Sequence, residues 1–162
     1  MGTPEQRLRD LGLTLPQAPR PIASYVPVTL VGELLYTSGV LPMWEGELRW
    51  QGVVGDGLSI ADGIEAARLC ALNILAAVRA EMGTLDAVAQ VVQVSGFVRS
   101  APGFVMQPRV LNGASDLLVE VLGERGRHTR MALGASELPM GAAVEISAVM
   151  RVAPVAAAAA AG

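Results

Sequence analysis

An α+β fold, with two main helices packed on one face of a mixed β-sheet, is predicted by three observations. Between Ser59 and Met82 the apolar residues Ile60, Ile64, Ala67, Cys70, Leu72, Ile74, Leu75 and Val78 recur at helical spacing, and Gly83 closes the run. A second such stretch covers Gln107 to Val121, with Leu111, Leu117, Leu118 and Val121 on its buried side and Gly123 beyond its end. Around these helices lie runs rich in valine and other strand formers, at 25–30, 34–38, 88–98 and twice after His128.

Taken in order, Thr3-Pro4-Glu5 reads as an N-cap, a proline at the first helical position and an acid in the first turn, opening a short helix through about Leu11. Pro16 to Pro21 then imposes an extended linker. Tyr25–Leu30 and Leu34–Ser38 are two strands joined across Val31-Gly32-Glu33. Residues 41–57 read as an irregular loop, in which Trp44 and Trp50 serve packing rather than ligand stacking. The final pair of strands meets at a Leu138-Pro139-Met140-Gly141 turn, and the Ala156–Ala161 run reads as a frayed tail. The organisation expected is an N-terminal helix and linker over 1–22, a single domain over 23–153 and an Ala-rich tail over 154–162.

Composition narrows the function classes. The 162 residues suit one domain. They are 52% hydrophobic and only 17% charged, with a mean hydropathy of +0.45, yet no apolar run is long enough to span a bilayer. Two helices cover only one face of a sheet, so small apolar residues remain exposed on the other, and self-association is the expected outcome. The net charge of −3 and pI near 5.1 disfavour nucleic-acid partners. The N-terminus does not read as a signal peptide, and with a single cysteine, Cys70, a reducing cytoplasmic location is expected. His128 is the only histidine, which disfavours His-based metal sites and catalytic triads and suits a supporting or surface role.

The two final strands each carry one charged residue out of place in a core strand, Arg130 and Glu145. If these strands pair as a hairpin, both residues fall on one sheet face among Ala, Gly and Ser, leaving room for a small guest. A guanidinium there is matched to a carboxylate. The alternative is an ordinary cross-strand ion pair on a solvated face.

Three stretches together resemble the reactive-intermediate deaminase family, also called the Rid, YjgF-type or endoribonuclease L-PSP-like family, in a longer, less-studied branch. They are Tyr25 to Pro42, ending its second strand in Thr37-Ser38-Gly39; Asn73 and Asn112 in the two helices; and Arg130 followed by Leu138-Pro139 and Val144-Glu145-Ile146. The resemblance runs from about Tyr25 to Val152. It implies a chorismate-mutase-like fold, a homotrimer with ligand pockets between subunits, and hydrolysis of reactive 2-imino acids or enamines to 2-keto acids and ammonia without metal or organic cofactor. By position, Arg130 would hold the substrate carboxylate and Glu145 would activate water. Ser38, Gly39 and Ala132 would contact substrate, Tyr25 would close the pocket, and Asn112 is a further candidate. Val26-Pro27 stands where a polar pair often follows the tyrosine, and Ala132 where cysteine is common. A second possibility is a non-catalytic protein that binds or senses a small keto acid in the same cleft; a ribonuclease is disfavoured by the acidic pI.

Overall fold

The computed structural model describes residues 2–18, 20 and 24–153; the Ala-rich tail and the Pro19 and Pro21 part of the linker lie outside the described residues. The elements are α1 (Pro4–Asp10), β1 (Val28–Val31), β2 (Leu34–Thr37), β3 (Met43–Trp44), β4 (Glu47–Leu48), β5 (Val53–Val54), β6 (Gly57–Leu58), α2 (Ile60–Met82), β7 (Val88–Arg99), α3 (Gln107–Leu122), β8 (Thr129–Ala135) and β9 (Val144–Val152). The α+β class is as expected.

Local chemistry sets the helix ends. Thr3 Oγ1 accepts the Gln6 N–H at 3.2 Å to start α1. At α2, Ser59 and Asp62 cap one another, the Ser59 hydroxyl accepting the Asp62 N–H at 3.1 Å and the Asp62 carboxylate accepting the Ser59 N–H at 2.8 Å. Gly83, at φ +77°, ends the helix in the left-handed region. The acid of α1 is used at a distance: Glu5 Oε1 accepts the Leu85 N–H at 2.8 Å, tying α1 to the connection between α2 and β7.

The five main strands form one sheet in the order β1-β2-β9-β7-β8, with β8 parallel to β7 and every other neighbour antiparallel. Helices α2 and α3 cover one face. Leu35, Val94, Ile146 and Met150 of the sheet are fully buried there with Ile74, Leu75, Leu111, Leu117 and Leu118. The expected loop at 41–57 contains two small strand pairs, β3 with β4 and β5 with β6; Trp44 and Trp50 pack partly buried against the core. On the opposite face of the sheet Tyr36, Phe97, Met131 and Leu133 are exposed.

The expected hairpin between the last two strands does not form. Strand β7 lies between β8 and β9, and α3 carries the chain from β7 to a parallel β8 as a helical crossover. The Leu138–Gly141 stretch is a short turn, Pro139–Gly141, that leads past the end of β7 to its other side. Consequently Arg130 and Ala148 both pair with Val94, on the helix-covered face, whereas Leu133 and Glu145 both pair with Phe97, on the open face. Arg130 and Glu145 are therefore on opposite faces of the sheet, not the same one.

Helices α2 and α3 approach closely at Gly113, where an added Cβ would lie 2.9 Å from the Ile64 carbonyl carbon of α2. Alanine is ordinarily worth about 1 kcal/mol over glycine inside a helix. Here the backbone contact reverses the sign, and Gly113→Ala is expected to destabilise the fold by about 1–3 kcal/mol in denaturant unfolding. A gain in stability would disprove this close approach.

Candidate functional site

Arg130 leans from the edge strand β8 onto α3. Its Nη1 donates to Asn112 Oδ1 and to Ser115 Oγ, both at 3.0 Å, and its Nη2 donates to the Pro108 carbonyl at 3.1 Å. Residues 108, 112 and 115 share one face of a helix by their spacing, so α3 offers the guanidinium a row of three acceptors. All three are neutral, and among the described residues Arg130 has no carboxylate partner. A guanidinium has five N–H donors, so two remain for a guest, and its charge is uncompensated. Ala132 and Gly134 follow on the same face of β8, so no bulky side chain follows Arg130 along that face of the strand.

Behind Arg130 the network continues. The Gly126 carbonyl can only accept, so the 2.6 Å contact at His128 Nδ1 places the ring proton there. The other nitrogen, Nε2, is then free to accept the Ser115 hydroxyl at 2.9 Å. Burial lowers the His128 pKa below its usual value, opposed by the bond to Gly126 and aided by the charge of Arg130. The ring is thus neutral at pH 7.

Glu145 belongs to a different neighbourhood. Its strand is bridged at Ile146 to Val40, just past the end of β2, and this brings Gly39 directly against the carboxylate: a Cβ on Gly39 would sit 3.0 Å from Glu145 Cδ. Only glycine fits. Burial raises the Glu145 pKa above the ordinary carboxylate value. Among the described residues the carboxylate has no ion-pair partner.

Beside Gly39 opens a cavity of about 370 Å³, whose lining includes Tyr25, Ser38, Gly39, Val40, Met43 and Met140. Ser38 is fixed by donating from its hydroxyl to the Val26 carbonyl at 2.6 Å, which holds the Tyr25 loop over the end of β2. Asn73 forms part of the wall from α2, its amide donating to the Met43 carbonyl at 2.8 Å and to the Leu69 carbonyl at 3.0 Å. The linker residues Gln17, Ala18 and Arg20 also line it.

The sequence-derived candidates thus separate into two half-sites. Arg130, Asn112 and Ala132 stand together at the edge strand on the helix-covered face. Tyr25, Ser38, Gly39 and Glu145 stand together around the end of β2. Sequence reasoning missed Ser115, the Pro108 carbonyl, Met140 and the linker residues. The first two carried a signal, since they share a helix face with Asn112. The others are brought in by tertiary contacts alone.

Relatives align with this chain over most of its length, and one family model matches it. A protein of unknown function from Agrobacterium tumefaciens is 48% identical, with 93% of this chain and 92% of that one covered at a TM-score of 0.87. A "putative endoribonuclease" from Shewanella oneidensis MR-1 is 34% identical, covering 93% of this chain and 100% of that one at a TM-score of 0.90. Protein TCP17 of Trypanosoma cruzi is 43% identical over 144 residues, 88% of this chain and 90% of that protein. The family model described as "YjgF/chorismate mutase-like, putative endoribonuclease" matches residues 5–150, a span that includes both half-sites. With the observed α+β fold, this match places the chain in the YjgF/Rid family.

Proposed function

We propose that this protein hydrolyses reactive 2-imino acids, or their enamine tautomers, to 2-keto acids and ammonium, at sites formed between copies of the chain in a homotrimer. The observation that carries the proposal is Arg130: a guanidinium held by three neutral acceptors, with donors and charge to spare. Such a group binds a small carboxylate through paired hydrogen bonds. Because Arg130 and Glu145 occupy opposite faces of one sheet, a small substrate that meets both must lie between two copies, Arg130 coming from one and Glu145 from its neighbour. The exposed Tyr36, Phe97, Met131 and Leu133 supply apolar surface for that association.

The chemistry asks little of the protein. Arg130 fixes the substrate carboxylate, Glu145 takes a proton from water as its oxygen bonds to the imine carbon, that proton then goes to nitrogen, and as the C–N bond breaks the remaining hydroxyl proton passes through Glu145 to the departing ammonia, which leaves as ammonium. One iminium and one water give one keto acid and one ammonium. A carboxylate whose pKa is raised toward the working pH suits this shuttle. Gly39 and Ser38 flank the reacting carbon, Ala132 leaves room beside Arg130, Asn112 steadies the guanidinium, and Tyr25 closes the cavity that receives the substrate side chain. None of these steps calls on a metal or organic cofactor.

Ribonuclease activity is disfavoured by the net charge of −3 and the lack of a basic stripe. No described helix is long and apolar enough to cross a membrane.

The test is the disappearance of 2-iminobutyrate, generated in situ from an amino acid, alongside sedimentation of the protein. Hydrolysis faster than in buffer, by a trimer, is the expected result. No acceleration by a trimer that still binds 2-ketobutyrate would replace the enzyme with a keto acid sensor, and a stable monomer would remove the site between copies.

A further inference from the structure

We infer that Ser115 and His128 are positioning residues for the carboxylate-binding arginine, forming a directed relay in which His128 orients the Ser115 hydroxyl and Ser115 in turn aims the Arg130 guanidinium. This inference rests on Arg130 being the carboxylate anchor.

The direction of the relay follows from donor and acceptor types. The Gly126 carbonyl takes the His128 Nδ1 proton, so Nε2 carries a lone pair. That lone pair takes the Ser115 proton, turning the lone pairs of the hydroxyl oxygen toward the Arg130 Nη1–H at 3.0 Å. A hydroxyl free to rotate could donate elsewhere in its surroundings; one held by an acceptor behind it keeps its lone pairs on the arginine. Asn112 and the Pro108 carbonyl complete the clamp, so the donors left over on the guanidinium point in a fixed direction. The benefit is preorganisation: the ligand does not have to order the guanidinium when it binds.

The groups meeting the ring come from three elements. They are Arg130 on β8, Ser115 on α3, and the Gly126 carbonyl in the short turn Gly123–Gly126; Arg130 is the charged one. Protonating the ring would remove the acceptor for Ser115 and set a second cation beside Arg130.

The experiment compares 2-ketobutyrate affinity by calorimetry, and imine turnover, in wild type, Ser115→Ala, His128→Leu, His128→Gln and Arg130→Ala at pH 7.5. Glutamine offers an amide oxygen to the Ser115 hydroxyl; leucine offers nothing. Ser115→Ala and His128→Leu are expected to weaken binding and raise KM roughly tenfold with kcat changed much less. His128→Gln should recover most of that loss. Wild-type affinity should also fall once the pH drops below the ordinary histidine range, where His128 with its lowered pKa gains its proton, and this fall should vanish in His128→Gln. Wild-type affinity in His128→Leu, or no recovery in His128→Gln, would overturn the relay. If Arg130→Ala itself binds 2-ketobutyrate normally, the carboxylate anchor is wrong, and that result is distinct from failure of the relay alone.

Discussion

Glu145→Gln is expected to abolish imine turnover, lowering kcat by about a hundredfold or more, while 2-ketobutyrate still binds. The amide keeps the size of the carboxylate but cannot accept the proton of the attacking water. Two further results follow from the raised pKa, which burial causes. The working form is the carboxylate, so wild-type kcat/KM should fall as pH drops through a value above the ordinary 4.5, and the glutamine variant should lack that acidic limb. Stability runs the other way. A raised carboxylate pKa means the folded chain binds more protons than the unfolded one between 4.5 and the raised value, so the group's contribution to stability declines as pH rises through that window. At neutral pH the ionised Glu145 therefore weighs against folding, and Glu145→Gln should unfold at a higher temperature than wild type. An inactive variant that is also less stable would contradict this account of the carboxylate.

Arg130→Ala is the second large effect. It would remove the two charge-assisted hydrogen bonds proposed to hold the substrate carboxylate, each worth about 1.5–3 kcal/mol, so KM and the dissociation constant for 2-ketobutyrate should both rise by about a hundredfold or more. Lysine is not expected to rescue it. An ammonium cannot meet Asn112, Ser115 and the Pro108 carbonyl while presenting a planar fork to the ligand. A kcat deficit with unchanged affinity would instead put Arg130 in the chemistry and leave the carboxylate to another residue.

What could be read in the sequence divides along the range of the forces involved. Ser59, Asp62 and Gly83 terminate α2 through contacts a few residues long, and Leu111, Leu117, Leu118 and Val121 are buried as their spacing predicts. The resemblance that picked out Arg130, Gly39 and Glu145 agrees with the family to which the chain belongs. Strand order was not legible. Alternation says which residues share a face of one strand, but a turn at Pro139 is equally compatible with pairing β8 to β9 and with stepping over β7. The helical crossover decided it, since α3 delivers β8 parallel to β7 and fills that edge before β9 arrives. The two-residue strands between Met43 and Leu58 were likewise illegible, because so short a pairing has no periodicity and is held by tertiary contacts.

The place of β9 in the sheet sets the order in which the two half-sites form. The arginine half-site is local, built by α3 and the strand that follows it, and its closing contacts span only 15 to 22 positions along the chain. The glutamate half-site needs the opposite end of the chain: β9 must slot between β2 and β7, pairing Leu34 with Arg151 and setting Glu145 against Gly39. Closing so long a loop carries a larger entropic cost and comes late relative to helical contacts. The strand that joins the β1-β2 hairpin to the rest of the sheet is thus made after β7 and β8, and the residue proposed to do the chemistry arrives with it. A chain made only as far as β8 holds Arg130 and its α3 contacts but lacks Glu145.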